Sequence, residues 1–188
     1  MIVTIHQPNF VPWYPFFQKM ESADVFVILK HCQFEKNNYQ NRFSLNEKWY
    51  TMSVNKGMEP ICDKRYVNPQ KDWDGIKNKL KQYNEILLEL DGCISENLAE
   101  TNSAIIQKIA EMLGIKTRIE FDYPTDLKGT SRLVDICSKY GADTYLSGSS
   151  GGNYMDLSEF KKEGIKVVFQ DNLIKKHTLE VLHEASIR

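Results

Sequence analysis

The chain has 188 residues, 41% of them hydrophobic and 26% charged, with a formal net charge of -1. That length suits a single domain, 1–188, built on one core, and the balanced charge argues against a surface that binds nucleic acid or an anionic membrane through bulk electrostatics. Cys32, Cys62, Cys93 and Cys137 are scattered without a Cys-x-x-Cys pair, which fits reduced thiols rather than a zinc or disulfide framework.

The start of the chain lacks a basic leader and a small-residue cleavage site. No run approaches the roughly 18 apolar residues of a membrane span, so no integral membrane segment is expected and the predicted location is cytoplasmic. "MIVTI" and "DVFVIL" are short Val- and Ile-rich runs bounded by polar or turn residues, which predicts buried strands. "PWYPFFQKMESA" between them has room for a short helix with Pro12 or Pro15 in its first turn. "KWYTMSV" predicts a further strand, and "NKGMEPICDKRYVNPQ" an excursion rich in turn residues.

From about 72 to 113 the apolar spacing turns helical, with Ile76, Leu80 and Tyr83 and then Ile105, Ile106, Ile109, Met112 and Leu113. Thr101 is the predicted N-cap of the second run and Gly114 its stop. The last third alternates: strand "IKTRIEF", helix "TSRLVDICSKY", strand "ADTYLS", helix "DLSEFKKEG", strand "IKVVFQ". The spacing from Asp156 to Glu159 resembles a capping box. The expected fold is α/β: a three-layer, mostly parallel sheet with helices on both faces, with a helical insertion around 70–114. Residues 175–188 predict a terminal helix or a loose tail.

In such a sheet, ligands gather beyond the carboxyl ends of the strands. Those ends carry His6-Gln7-Pro8-Asn9, Lys30-His31-Cys32-Gln33, Asp122-Tyr123 and the loop "SGSSGGNY". Ser147, Gly148, Ser149, Ser150 and Tyr154 in that loop offer glycine freedom, hydroxyls and amides to a phosphate, or form a plain strand-to-helix connection. His6 can serve as acid, base or phosphate donor, or be tied to a loop carbonyl. In "KHCQFEKNNYQNRF", Lys30, Lys36 and Arg42 supply cations, Gln33, Asn37, Asn38, Gln40 and Asn41 amides, and Phe34 and Tyr39 stacking surfaces. The alternative is a solvated cover for the sheet. Cys32 is a weak candidate nucleophile, because adjacent residues on extended chain point opposite ways. Trp13 is the aromatic best placed to line the crevice. The spacing of His6, His31 and Asp122 demands no metal, and no cofactor is identified.

These stretches, "IHQPNFVPWYPFFQKM", "ADVFVILKHCQFEKNNYQNRF", "KWYTMSV" and "GADTYLSGSSGGNYMDLSEFKKEGIKVVFQD", resemble the WbqC-like family in the same order over nearly the whole chain. The His-Gln-Pro opening and Gln40-Asn41-Arg42 are the specific parts. The resemblance implies an association with O-antigen and other surface-polysaccharide synthesis, and so with nucleotide-activated sugars. Members of the family often carry acidic residues where this chain has Lys30 and His31. A fainter likeness to the nucleotidyltransferase layout lacks the His-x-Gly-His signature and fixes no reaction.

The expected function is that of a transferase in O-antigen-type precursor synthesis acting on a nucleotide-linked sugar or another phosphorylated small molecule, by acyl or aminoacyl transfer to a sugar amine. Its expected catalytic residues are His6, as the general base that takes a proton from the attacking amine, Gln7, Asn9 and Asn41. Trp13, His31, Gln33, Lys36, Gln40, Arg42, Ser147, Gly148, Ser149, Ser150 and Tyr154 are expected to bind substrate. A nucleotidyltransferase-like enzyme and a non-catalytic nucleotide-sugar binding or assembly protein are the alternatives, and an oligomer is left open.

Overall fold

The computed structural model describes residues 1–187. Five short strands form one parallel sheet: β1 Ile2–His6, β2 Val25–Ile28, β5 Arg118–Phe121, β6 Thr144–Ser147 and β7 Lys166–Phe169, in the spatial order β5-β2-β1-β6-β7. The chain builds outward from β1 to β2 and β5, then returns to β1's other edge to lay down β6 and β7. The order therefore reverses between β1 and β6, the position in an open parallel sheet at which the loops leaving adjacent strands run to opposite faces. A separate antiparallel hairpin pairs β3 Arg42–Leu45 with β4 Lys48–Thr51. The "KWYTMSV" strand thus lies outside the main sheet, beside a partner that periodicity does not reveal.

The pleat sorts side chains between two layers. Val3, Ile5, Val25, Val27 and Tyr145 pack with Val134, Ile136 and Cys137 of α5 (Gly129–Lys139) and Phe160 of α6 (Leu157–Lys162). Phe26 and Ile28 face the larger cluster, with Phe16, Phe17 and Met20 of α1 (Tyr14–Glu21) and the helical insertion. That insertion holds α2 (Pro69–Lys79), α3 (Asn84–Glu89) and α4 (Leu98–Met112). Trp73 is fully buried within it and donates its indole N–H to Asp91 at 2.6 Å.

The N-cap of α4 is Asn97, whose side chain accepts from the Glu100 amide at 3.0 Å, rather than Thr101. Thr101 lies one turn inside, fully buried, and its hydroxyl bonds the carbonyl and amide of Ser95. Gly114, at φ 72°, ends the helix as its position predicts. Asp156 caps α6 by accepting from Ser158 N at 2.9 Å, while the Glu159 side chain turns away to Ser131.

The stretch from Pro8 to Tyr14 is held from several sides. Asn102 donates to the Pro8 carbonyl, Phe10 N to Tyr39 O, and Tyr14 N to Lys176 O, at 2.8, 2.9 and 3.1 Å. The Thr178 hydroxyl closes on the Pro12 carbonyl at 2.6 Å. Within this clamp Val11 has φ 42°, a left-handed conformation that a β-branched residue adopts only when its surroundings impose it. Helix α7 (Thr178–Ser186) supplies the last tie, with Thr178 and Leu179 fully buried.

Asn102 serves three buried groups at once, donating to the carbonyls of Pro8 and Gln40 and accepting from the Tyr66 hydroxyl at 2.8 Å. An Asn102→Leu substitution leaves the Pro8 carbonyl unpaired and leaves the Tyr66 hydroxyl and the Gln40 carbonyl only their long 3.5 Å contact with each other, and should lower the unfolding free energy by about 2–4 kcal/mol. Urea denaturation of the variant beside the parent chain reads this directly; an unchanged midpoint contradicts it.

Candidate functional site

The carboxyl ends of β2 and β5 converge on a buried carboxylate. Asp122 follows β5, and its side chain has no solvent exposure. It accepts from Lys30 N at 2.8 Å, His31 N at 3.1 Å, His31 Nδ1 at 2.9 Å and the Arg132 guanidinium. Arg132 sits in the first turn of α5 and also donates to the Tyr123 carbonyl at 3.1 Å. Because an ionised carboxylate only accepts, His31 Nδ1 carries a proton, and its Nε2 has no partner among the described residues. The imidazole stays partly exposed, with 22% of its side chain accessible. An oriented imidazole with an open Nε2 is equipped to take a proton.

His6 ends β1 and packs its ring against Phe16, with centroids 4.8 Å apart. Its Nδ1 meets the Gln7 carbonyl at 2.9 Å, which again puts the proton on Nδ1. Burial pushes its pKa down to about 3; nearby Lys19 acts in the same direction and the Gln7 hydrogen bond opposes. His6 is therefore a neutral imidazole at physiological pH, a hydrogen-bond acceptor through Nε2 and a weak base. Lys19, buried on α1, donates to the Ile5 carbonyl at 3.1 Å, and burial lowers its pKa to about 7.

Gln7 joins the two histidine neighbourhoods. Its amide N donates to Cys32 Sγ at 3.4 Å, and its oxygen accepts from Gln40 at 2.8 Å. Burial raises the Cys32 thiol to about 11, outweighing the Gln7 bond, so at neutral pH it is a thiol rather than a thiolate nucleophile. Gln40 is fully buried and also accepts from Glu35 N at 2.8 Å, and Asn41 donates to the Met52 carbonyl at 2.8 Å. Both amides are spent on holding Gln7 and the hairpin.

The Ser-Gly loop leaves β6 beside β1. Ile2 and Val3 pair with Thr144 and Tyr145, and continuing that register brings Gly148 level with His6. Ser147 is buried and donates to the Gly148 carbonyl at 3.2 Å, so its hydroxyl faces inward. A Cβ on Gly151 would overlap that hydroxyl and crowd the Met155 methyl, so a larger residue there must displace both side chains. The backbone amides of Gly148, Ser149 and Ser150 find no acceptor among the described residues, leaving three donors available to an anion.

The side chains of the remaining expected residues make no hydrogen bond to His6, Gln7, His31 or Asp122 among the described residues. Arg42 stacks its guanidinium 4.1 Å from the Trp49 ring centroid and bonds the Asn37 carbonyl, with Tyr39 against Trp49 at 5.5 Å, all at the hairpin. Gln33 and Lys36 are exposed, Tyr154 is 72% and Trp13 46% exposed, and Asn9 is half-buried. Sequence reasoning missed Arg132 and Lys19, yet both sit at helical spacing from core residues: Arg132 four before Ile136, and Lys19 three after Phe16. A cation on an apolar helix face is the signal that would have found them.

His6, near 3, and His177, lowered by burial to about 4, both resist protonation relative to a free imidazole at 6.5. The unfolded chain binds those protons more readily, so the stability these groups contribute is complete above about pH 6.5 and is lost as the pH falls toward 3–4. A His177→Asn variant retains an N-cap acceptor for Leu179 N and should show a shallower loss of urea midpoint over that window. Parallel pH profiles for parent and variant would refute the assignment.

The model of the WbqC-like protein family matches residues 7–178. A curated relative, the uncharacterized protein Rv1507c of Mycobacterium tuberculosis, is 28% identical over 188 residues, covering 90% of this chain and 81% of the relative. Among solved structures, a Zn(II)-bound mutant variant of AdcAII from Streptococcus pneumoniae matches 99% of this chain and 96% of its own at 15% identity and a TM-score of 0.24, a likeness that bears on neither fold nor ligand. No helix among the described residues is long and apolar enough to cross a membrane. With a family match running from the Gln7 turn to the Thr178 clamp, the chain belongs to the WbqC-like protein family.

Proposed function

We propose that the strand-end array is the centre of a transferase that moves an acyl or aminoacyl group onto the amine of a nucleotide-linked sugar in surface-polysaccharide synthesis. The observation that carries the reading is the His31–Asp122 pair, with Nδ1 fixed on a buried carboxylate and Nε2 open. His31 Nε2 takes the proton of the attacking amine as the new N–C bond forms and the leaving group departs. This revises the base assignment: His6, held near 3, is too weak a base and acts as a neutral acceptor that orients the sugar amine. The unpaired amides of Gly148, Ser149 and Ser150 are the phosphate donors. The choice of a nucleotide-linked sugar rests on the polysaccharide association implied by the family resemblance.

A thermal-shift screen of nucleotides and nucleotide-sugars tests the ligand class, and His31→Gln tests the base. A nucleotide-sugar should raise the melting temperature of parent and variant alike. Turnover should fall about 10²- to 10⁴-fold in the variant. Pyrophosphate release from a nucleoside triphosphate with Mg²⁺ would instead mark nucleotidyl transfer, and binding with no product under any donor would mark a non-catalytic binder. A screen with no shift at all would overturn the nucleotide-sugar assignment.

A further inference from the structure

A cavity of about 260 Å³ lies between α4 and the carboxyl ends of β2 and β5. Drug-sized ligands occupy roughly 300–1,000 Å³, so this space suits a smaller metabolite. Lys30 and Phe121 line it from the sheet side, and Glu100, Ser103, Ala104 and Gln107 from α4. Ser103 is only 6% exposed, and its hydroxyl has no hydrogen-bond partner among the described residues. Helical serines commonly return such a hydroxyl to the preceding turn. A buried hydroxyl without a partner is unfavourable, and a bound polar group at this point would relieve it.

Two charges of opposite sign face the same space. Lys30 holds its ammonium 4.8 Å from the Phe121 ring centroid, and neither it nor Glu100 enters an ion pair among the described residues. A cation, an anion and an unsatisfied hydroxyl around a small, partly apolar space call for a ligand that carries both charges. We infer that this cavity binds a free amino acid, with its carboxylate on Lys30 and the Ser103 hydroxyl, its ammonium toward Glu100, and its side chain along Phe121 and Ala104. The inference stands independently of the nucleotide-sugar reading, because the cavity is defined by α4 and the β2/β5 edge and not by the loop after β6.

Calorimetric titration of the nucleotide-free protein with the common amino acids tests it, with N-acetyl amino acids and amino-acid amides as singly charged controls. At least one free amino acid should bind, and blocking either charge should weaken it about tenfold or more. Lys30→Met, Glu100→Gln and Ser103→Ala should each cost about tenfold in affinity, and Ala104→Phe should abolish binding by filling the space. Circular dichroism of every variant separates lost binding from lost fold, and Ser103→Ala, which removes an unpaired hydroxyl, should melt no lower than the parent. Equal binding of blocked and free forms, retained binding in Ala104→Phe, or no heat from any amino acid would each overturn the inference.

Discussion

The Asp122 carboxylate is the group on which the strand-end architecture depends. A carboxylate with no side-chain exposure persists only where donors replace its lost hydration, and here two backbone amides, an imidazole and a guanidinium do so. The donors answer three separate requirements of the fold. The Lys30 and His31 amides fix how the chain leaves β2, Arg132 fixes the first turn of α5 against β5, and His31 Nδ1 fixes the ring whose other nitrogen remains free. One buried charge therefore sets the course of two loops and the tautomer of a candidate base.

The turn after β1 is organised by a different device. Val11 occupies a left-handed conformation between hydrogen bonds that reach the segment from α4, from the loop before the hairpin and from the last helix. These ties fix the trajectory of Pro8 to Tyr14, while Gln7 is held separately through Gln40 and Cys32. The prolines of this segment, which look from sequence like simple turn punctuation, supply two of the carbonyls that the clamp grips.

The parallel sheet was legible because its strands are continuous Val- and Ile-rich runs alternating with helices at regular spacing, and the strand-end rule then pointed to His6, Gln7, His31 and Asp122. The hairpin partner "RFSL" was not, because Arg42 and Ser44 alternate with only two apolar residues, and a four-residue strand outside the main sheet leaves a weak periodic trace. Thr101 resembled an N-cap because its residue type suits one, but the helix already begins at Leu98 and Thr101 is buried inside it. Asn41 and Gln40 read as ligand contacts because amides interleaved with cations and aromatics suit a polar phosphorylated ligand. Their burial arises from long-range bonds to Met52 and Gln7 that no local pattern encodes.

His6, His31 and the loop after β6 all follow the carboxyl ends of strands in the parallel sheet, and the functional reading requires them to meet one ligand. Heteronuclear NMR of the protein labelled with ¹⁵N, titrated with a nucleotide-sugar, tests this most directly. The account predicts saturable shifts that share one dissociation constant at the His6 and His31 imidazoles and at the Gly148, Ser149 and Ser150 amides. Shifts confined to the hairpin around Arg42 and Trp49, with both imidazoles silent, would contradict it.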